Sequence, residues 1–304
     1  DTYILFISFH YKEWTGVEYH YIVFILCVLN IIFFAPFLIF VSGSCFINLL
    51  LHIYKRKNGL DEDFSNKSWD NGKLMVASIL SMVGKLGHGY ELHGIEKIPE
   101  GPGLIVYYHG AIPLDYCYFI SNLYIQTGRL CYSAVDRFFA MLPGIELLFN
   151  LFPAVHSGRD ESVEILKKGN LLGVSPGGSR EAFFSDENYN LLWGNRKGFA
   201  QVAIDAKVPI IPLFTQNIRE GYRTFGKIGF FRWLYEHSRL LFIPAYGGFP
   251  VKLRTYVGDP IPYDPNITAT ELVEKVRKKR LTLLGCLESG NYVATVLMQG
   301  GSVE

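Results

Sequence analysis

From Tyr21 to Leu51 the chain carries no Asp, Glu, Lys or Arg. As a helix, this stretch would span roughly 46 Å, against a hydrocarbon core of ~30 Å. The pattern predicts a membrane anchor over residues 1–57, either one long tilted helix or two short helices broken near Pro36. The hairpin is the expected form. Each half has about 15 residues, short of the ~20 that a crossing needs, so a shallow re-entrant hairpin competes with two full spans. Both ends of that hairpin would face the cytosol. Lys55-Arg56-Lys57 closes the run and belongs on the cytosolic side, while Trp14 and Tyr19 suit a membrane interface. A secretory signal fits poorly, because the apolar run is too long and its basic cluster lies at the wrong end.

Beyond the polar stretch 58–72, apolar and polar positions alternate in a different way. Leu74, Val76, Ala77, Leu80, Val83 and Leu86 mark an amphipathic helix over 73–86. Short apolar runs predict strands at 88–94, 103–106, 129–135, 151–156, 171–175 and 208–215. Helices are expected over 115–127, from Asp160 to Lys168, over 195–206 and over 270–284. Alternation of this kind predicts an α/β fold, with a mainly parallel central sheet and helices on both faces. Residues 58–304 are read as that domain, preceded by the membrane-embedded helical hairpin.

Composition changes this picture little. The 304 residues are 49% hydrophobic with a net charge of +1, which gives no reason to expect a nucleic-acid partner. Mean hydropathy is positive, and the excess sits near the N-terminus. Cys27, Cys45, Cys117, Cys131 and Cys286 are scattered and odd in number, with no C-x-x-C pair. That argues against a disulfide framework or a zinc site and fits a reducing compartment. No metal is expected. The chain opens on Asp1 rather than Met, as a fragment or a processed form would.

Candidate chemistry gathers at two strand ends. After Gly103-Leu104-Ile105-Val106 comes Tyr107-Tyr108-His109-Gly110-Ala111-Ile112-Pro113-Leu114-Asp115. Ligands of open α/β sheets bind at the carboxyl ends of strands. A histidine there can serve as general base, and a nearby carboxylate can hold its tautomer. Pro113 disfavours a helix starting at His109 and allows a turn that returns Asp115 to His109. The same pair also reads as a strand-ending His and a helix-capping Asp. The second end carries Pro176-Gly177-Gly178-Ser179-Arg180-Glu181. Paired glycines let backbone N–H groups approach a ligand, where they can stabilise an oxyanion. Arg180 can hold a carboxylate or phosphate in bidentate fashion. Taken alone, Gly177-Gly178 reads more readily as a tight turn and Arg180 as a solvated charge.

At these residues the chain resembles the transmembrane protein 68 family, membrane acyltransferases of the glycerolipid acyltransferase superfamily. The resemblance runs from His52 to about Thr282. It includes Ser175–Glu181, Arg196–Asp205, Pro209–Pro212, Phe214–Glu220 and Tyr246–Thr255. His109 and Asp115 match the superfamily's H-x-x-x-x-D block with one extra residue between them. Pro176, Gly178 and Arg180 match its F-P-E-G-T-R block, but Gly177 replaces the acid. Gly177, Gly178 and Glu181 also match G-G-x-x-E of the second diacylglycerol acyltransferase family, whose H-P-H-G block ends as His109-Gly110 does. The second superfamily block is matched only loosely, around Arg159.

The resemblance implies that His109 takes the proton of an acceptor hydroxyl and that Asp115 orients and charge-stabilises it. The oxygen attacks an acyl-CoA thioester. N–H groups near Gly110, Gly177 and Gly178, together with Arg180 and Glu181, bind substrate or hold the oxyanion. No cofactor is implied beyond acyl-CoA as co-substrate. The partners implied are acyl-CoA, a neutral glycerolipid acceptor and the bilayer. The implied place is the endoplasmic reticulum membrane, with the catalytic domain facing the cytosol. Diacylglycerol, converted to triacylglycerol, is the favoured acceptor. Monoacylglycerol, a lysophospholipid and a long-chain alcohol are alternatives, and an inactive lipid-binding membrane scaffold is the alternative of another class. Ser179 lacks a G-x-S-x-G elbow, which argues against a serine hydrolase.

Overall fold

The computed structural model describes residues 19–136, 145–156, 158–238 and 245–288. Trp14 and Ser157 lie outside them. The chain opens with α1 (Tyr19–Asn58) and α2 (Asp70–His88), followed by β1 (Glu91–His93), β2 (Gly103–Tyr107) and α3 (Leu114–Thr127). Next come β3 (Cys131–Ala134), α4 (Glu146–Leu151), β4 (Ala154–Val155), α5 (Arg159–Lys167) and β5 (Leu171–Val174). Then follow α6 (Gly178–Phe184), α7 (Gly198–Ala206), β6 (Ile210–Gln216) and the short α8 (Ile218–Gly221). The last described elements are β7 (Tyr222–Thr224), α9 (Gly229–Ser238), β8 (Ala245–Gly247), β9 (Arg254–Val257) and α10 (Ala269–Glu288).

Seven strands form one sheet in the order β1-β9-β6-β2-β5-β3-β4. β2 pairs in parallel with both β5 and β6, while β6 and β9 pair antiparallel. The sheet is therefore mainly parallel, as expected. Helices cover both faces, and the period-2 alternation of β2 shows it. Ile105 and Tyr107 pack into one core with Val76 and Ala77 of α2 and Phe119 and Leu123 of α3. Leu104 and Val106 pack into the other with Ile165, Ala200, Ala203 and Val276 of α5, α7 and α10. α2 and α3 cross closely because Gly84 lies against the Tyr118 ring, where a Cβ would stand 2.9 Å from the nearest ring carbon.

The hairpin expectation for the N-terminal segment is corrected. Pro36 lies inside one continuous 40-residue helix, α1. A proline costs a helix interior one backbone hydrogen bond, yet apolar helices tolerate it where packing holds both sides. Packing holds this one. Pro36, Phe40, Ser44, Ile47 and Leu51 recur at three- and four-residue spacing and turn towards the rest of the molecule. Residues Ala35–Asn58 are long and apolar enough to cross a membrane. The expected strand at 151–156 is also corrected: Leu147 and Leu151, four apart, bury one side of α4, and only Ala154–Val155 pair as a strand.

Candidate active site

β2, β5 and β6 run parallel, so their carboxyl ends share one edge of the sheet. His109 lies two residues beyond β2. The Gly177-Gly178 turn follows β5 and leads into α6. Arg219 lies just beyond β6, at the start of α8. These three turns lock together. Glu181 Oε2 accepts the main-chain N–H of His109 at 3.0 Å. Gly177 leaves room for that carboxylate: a Cβ there would stand 2.5 Å from the Glu181 carboxyl carbon and 2.7 Å from Oε2. Gly178 adopts φ +52°, a conformation open to glycine at little cost. The G-G-x-x-E spacing is thus the geometry that brings the second turn onto the first.

His109 keeps part of its surface open, as a base that meets a substrate must. Its Nδ1 lies 2.7 Å from the Gly110 carbonyl. A carbonyl only accepts, so Nδ1 carries the proton and Nε2 is left with its lone pair. Burial pushes the imidazolium pKa down to about 4; the Gly110 carbonyl opposes the shift and the Arg219 charge adds to it. At neutral pH the ring is therefore an uncharged base with Nε2 as its basic atom.

Asp115 is buried in the first turn of α3. Burial raises its pKa to about 6, opposed by the Thr215 hydroxyl, by N–H groups of the helix's first turn and by Arg219. Among the described residues no hydrogen bond joins Asp115 to His109, and Asp115 Oδ1 has no hydrogen-bond partner. The tautomer of His109 is thus fixed by Gly110 rather than by a carboxylate. Cys117 is an inert thiol, its pKa pushed by burial up to about 12.

Two arginines carry the polar architecture, and neither was singled out from the sequence. Arg219 is fully enclosed. Its Nε donates to Tyr108 Oη at 2.7 Å, Nη1 to the Ala182 carbonyl at 2.9 Å, and Nη2 to the His109 carbonyl at 2.9 Å and to the Glu181 carbonyl. One side chain therefore ties β6, α6 and the His109 turn. Arg280 of α10 is 3% exposed and lies over Tyr108, Trp193 and Phe214, its Cζ 5.2, 5.7 and 5.9 Å from their centroids. Burial raises the pKa of Glu181, and the Arg280 charge is the largest influence holding it down. Among the described residues, Arg280 Nε and Nη1 and Glu181 Oε1 have no hydrogen-bond partner.

Arg180, expected at the site, points elsewhere. It is half exposed, with Nη2 3.8 Å from Glu236 of α9, and Ser179 Oγ lies 3.3 Å from Tyr235 Oη. Other cations that could converge on a phosphate are also engaged. Arg159 binds Asp205 at 2.6 Å, Lys197 binds Thr270 at 2.8 Å, and Arg196 Nη1 donates to the carbonyls of Pro176 and Gly177 at 2.9 and 2.8 Å. Among the described residues no group of His, Cys, Asp and Glu is arranged to hold a metal ion.

A neutral histidine base at the end of a parallel strand, beside a glycine turn, is a site suited to transfer onto a hydroxyl. The family model Acyltransferase matches residues 89–216, from just before β1 to the end of β6. The mouse (Mus musculus) protein "DGAT1/2-independent enzyme synthesizing storage lipids" is 53% identical over 274 residues, 88% of this chain and 83% of its own length. Its human (Homo sapiens) counterpart is 53% identical over 275 residues, 88% of this chain and 84% of its own length. The chicken (Gallus gallus) protein of that name is 52% identical over 285 residues, 91% of this chain and 86% of its own length. The 1-acyl-sn-glycerophosphate (LPA) acyltransferase PlsC of Thermotoga maritima superposes with a TM-score of 0.49 at 18% identity, over 76% of this chain and 93% of that one. The chain belongs to the acyltransferase family that includes these vertebrate relatives, and it is an enzyme of that class.

Proposed function

We propose that the protein transfers an acyl group from acyl-CoA to diacylglycerol, making triacylglycerol at the endoplasmic reticulum membrane with its catalytic domain on the cytosolic side. The observation that carries the neutral acceptor is the engagement of the cations. A phosphorylated acceptor brings about two negative charges near pH 7. Arg159, Lys197 and Arg180 have other partners, Arg196 holds the Gly177 turn, Arg219 is enclosed by four acceptors, and Arg280, 3% exposed among Tyr108, Trp193 and Phe214, has the Glu181 carboxylate as its charge partner. The relatives' name, which specifies storage lipids, supports the same reading.

In the proposed reaction, the acceptor hydroxyl donates its proton to His109 Nε2 while its oxygen attacks the thioester carbonyl. The Nδ1–H bond to Gly110 keeps the ring in the competent tautomer. Asp115, ionised above about pH 6 and not hydrogen-bonded to the ring, would act on the developing positive charge only at longer range. The Gly177 N–H is suited to the tetrahedral oxyanion, whereas the Gly178 N–H already donates to the Ser175 carbonyl at 3.1 Å. The intermediate then expels CoA thiolate, which takes the proton back from the imidazolium.

The test uses purified full-length protein in lipid vesicles, with labelled acyl-CoA and each acceptor in turn. Diacylglycerol is expected to give the highest kcat/KM. Preference for lysophosphatidate or glycerol 3-phosphate would overturn the acceptor assignment. Preference for monoacylglycerol or a long-chain alcohol would move the acceptor within the neutral class. His109→Ala is expected to lose roughly two to four orders of magnitude in kcat, the usual worth of a general base.

A further inference from the structure

We infer that α9 is a second membrane contact of this protein: an interfacial helix whose aromatic stripe enters the headgroup layer of a phospholipid bilayer beside α1. The inference rests on the membrane reading of α1 and deepens the proposed function. The stripe is formed by Phe230, Trp233 and His237, at three- and four-residue spacing. Phe230 is 60% and Trp233 54% exposed. Their rings stack with centroids 6.3 Å apart, and Trp233 lies 4.7 Å from the His237 ring. Ile228, just before α9, and Phe249, just beyond β8, add exposed apolar surface. Opposite the stripe, Tyr235 is buried edge-on against Phe183 and Phe184 of α6, so α9 is a fixed part of the fold.

What covers the stripe follows from its neighbour. α9 is inserted between β7 and β8, the two strands of one antiparallel hairpin, and α1 packs against β8. Over its docked half, α1 turns Pro36, Phe40, Ser44, Ile47 and Leu51 inward and leaves Leu38, Ile39, Phe46, Leu49 and Ile53 exposed. An outward face that apolar over four turns belongs in lipid rather than in water. The bilayer therefore reaches the flank of the catalytic unit where the hairpin lies, and α9 departs from that hairpin. The composition of α9 suits the boundary. Tryptophan and other aromatics favour the headgroup level, and the polar edge beside them carries exposed Arg223 together with Lys227, paired with Asp186 and Glu187, and Arg232, paired with Glu236. Through Tyr235, Ser179 and Glu236–Arg180 the docked helix would hold the Gly177 turn against the lipid surface from which the acceptor comes.

Two measurements test this on the full chain reconstituted in vesicles. The first compares tryptophan emission of wild type and Trp233→Phe, the difference being the signal of Trp233. Phospholipids brominated near the top of the acyl chain are expected to quench that difference signal at least twofold, with aqueous iodide having little effect. Quenching by iodide and none by brominated lipid would overturn the inference. So would shielding that appears only as protein concentration rises in detergent, which would assign the stripe to a second copy of the chain. This readout needs no catalysis, so it stands or falls apart from the acceptor assignment. The second measures the double variant Phe230→Ser, Trp233→Ser. Its KM for bilayer-dispersed acceptor is expected to rise about tenfold with kcat unchanged, the effect of losing part of the burial of two aromatic side chains. Its kcat/KM for a water-soluble short-chain acceptor should stay at the wild-type value. An unchanged KM in the bilayer assay, or an equal loss with both acceptors, would also overturn the inference.

Discussion

Arg219→Lys keeps a positive charge at the joint between β6, α6 and the His109 turn and removes the planar fork. The guanidinium serves the Tyr108 hydroxyl and the carbonyls of Ala182, His109 and Glu181 from three separate nitrogens. An ammonium offers three protons from one point and cannot reach acceptors spread on this scale. The Glu181 carbonyl keeps the Ser185 N–H and the Tyr108 hydroxyl keeps its bond to Ser185 Oγ, so the Ala182 and His109 carbonyls are the acceptors left without a partner, at about 1–3 kcal/mol each, or about 2–6 kcal/mol in all. Even the lower figure lowers Tm by about 4–8 °C in a domain of roughly 150–250 residues. Because one of the lost partners is the His109 carbonyl, the base is displaced as well. A misplacement of about 1 Å can cost about a hundredfold in rate. Thermal unfolding in detergent gives the first number, and acyl transfer measured well below both melting temperatures gives the second. A lysine variant with wild-type Tm and wild-type turnover would refute the reasoning. Arg180→Lys is the matched control. Its half-exposed pair with Glu236 should cost at most about 1 kcal/mol.

Three further outcomes follow from the site. The acid limb of kcat/KM should report Asp115: activity falls as pH drops through about 6, where the carboxylate takes a proton, before His109 is protonated near 4. Asp115→Asn should move that limb towards 4 and lower the plateau; an unchanged midpoint would remove Asp115 from the chemistry. Gly177→Ala places a methyl group in the Glu181 carboxylate, so it should cost about 1–3 kcal/mol by overpacking and lower kcat by freeing the His109 main chain. Wild-type melting and turnover in that variant would show that the turn can open. Arg280→Met should leave the aromatic packing largely intact while raising the Glu181 pKa further. A shift of the pH–stability curve is the readout, and an identical curve would show that Arg280 does not hold the carboxylate ionised.

The strands that frame the site could be read from the chain because they are buried on both faces. Gly103–Tyr107, Leu171–Val174 and Ile210–Gln216 are short apolar runs ended by turn residues. β9 was not read as a strand, since Arg254–Val257 is short and pairs antiparallel to β6, outside the βαβ pattern. His109, Asp115 and the glycine turn stood out by residue type and position. Arg219 did not, because an arginine after a strand looks the same whether it meets water or three carbonyls. Arg180, with a motif behind it, drew the role instead. Arg280 did leave a trace: it lies four residues after Val276 and three before Leu283, on the buried stripe of α10. Within Arg277-Lys278-Lys279-Arg280 that position was masked by the basic run around it.

The inward stripe of α1 bears on how this protein is made. Ile47 and Leu51 share a core with Trp69, Leu147 and Leu151, so a boundary drawn at residue 57 cuts through packed side chains. Helix α1 is needed by a core that is completed only when Leu147 and Leu151, much later in the chain, arrive. Placement of α1 and maturation of the enzyme are thus coupled steps. A chain in which α1 is displaced from that core leaves two large aliphatic side chains without a stable seat, at roughly 1.5–3 kcal/mol each. Trimming α1 from the chain would open the same gap from the other side, and quality control in the cell would meet both products as incompletely folded protein.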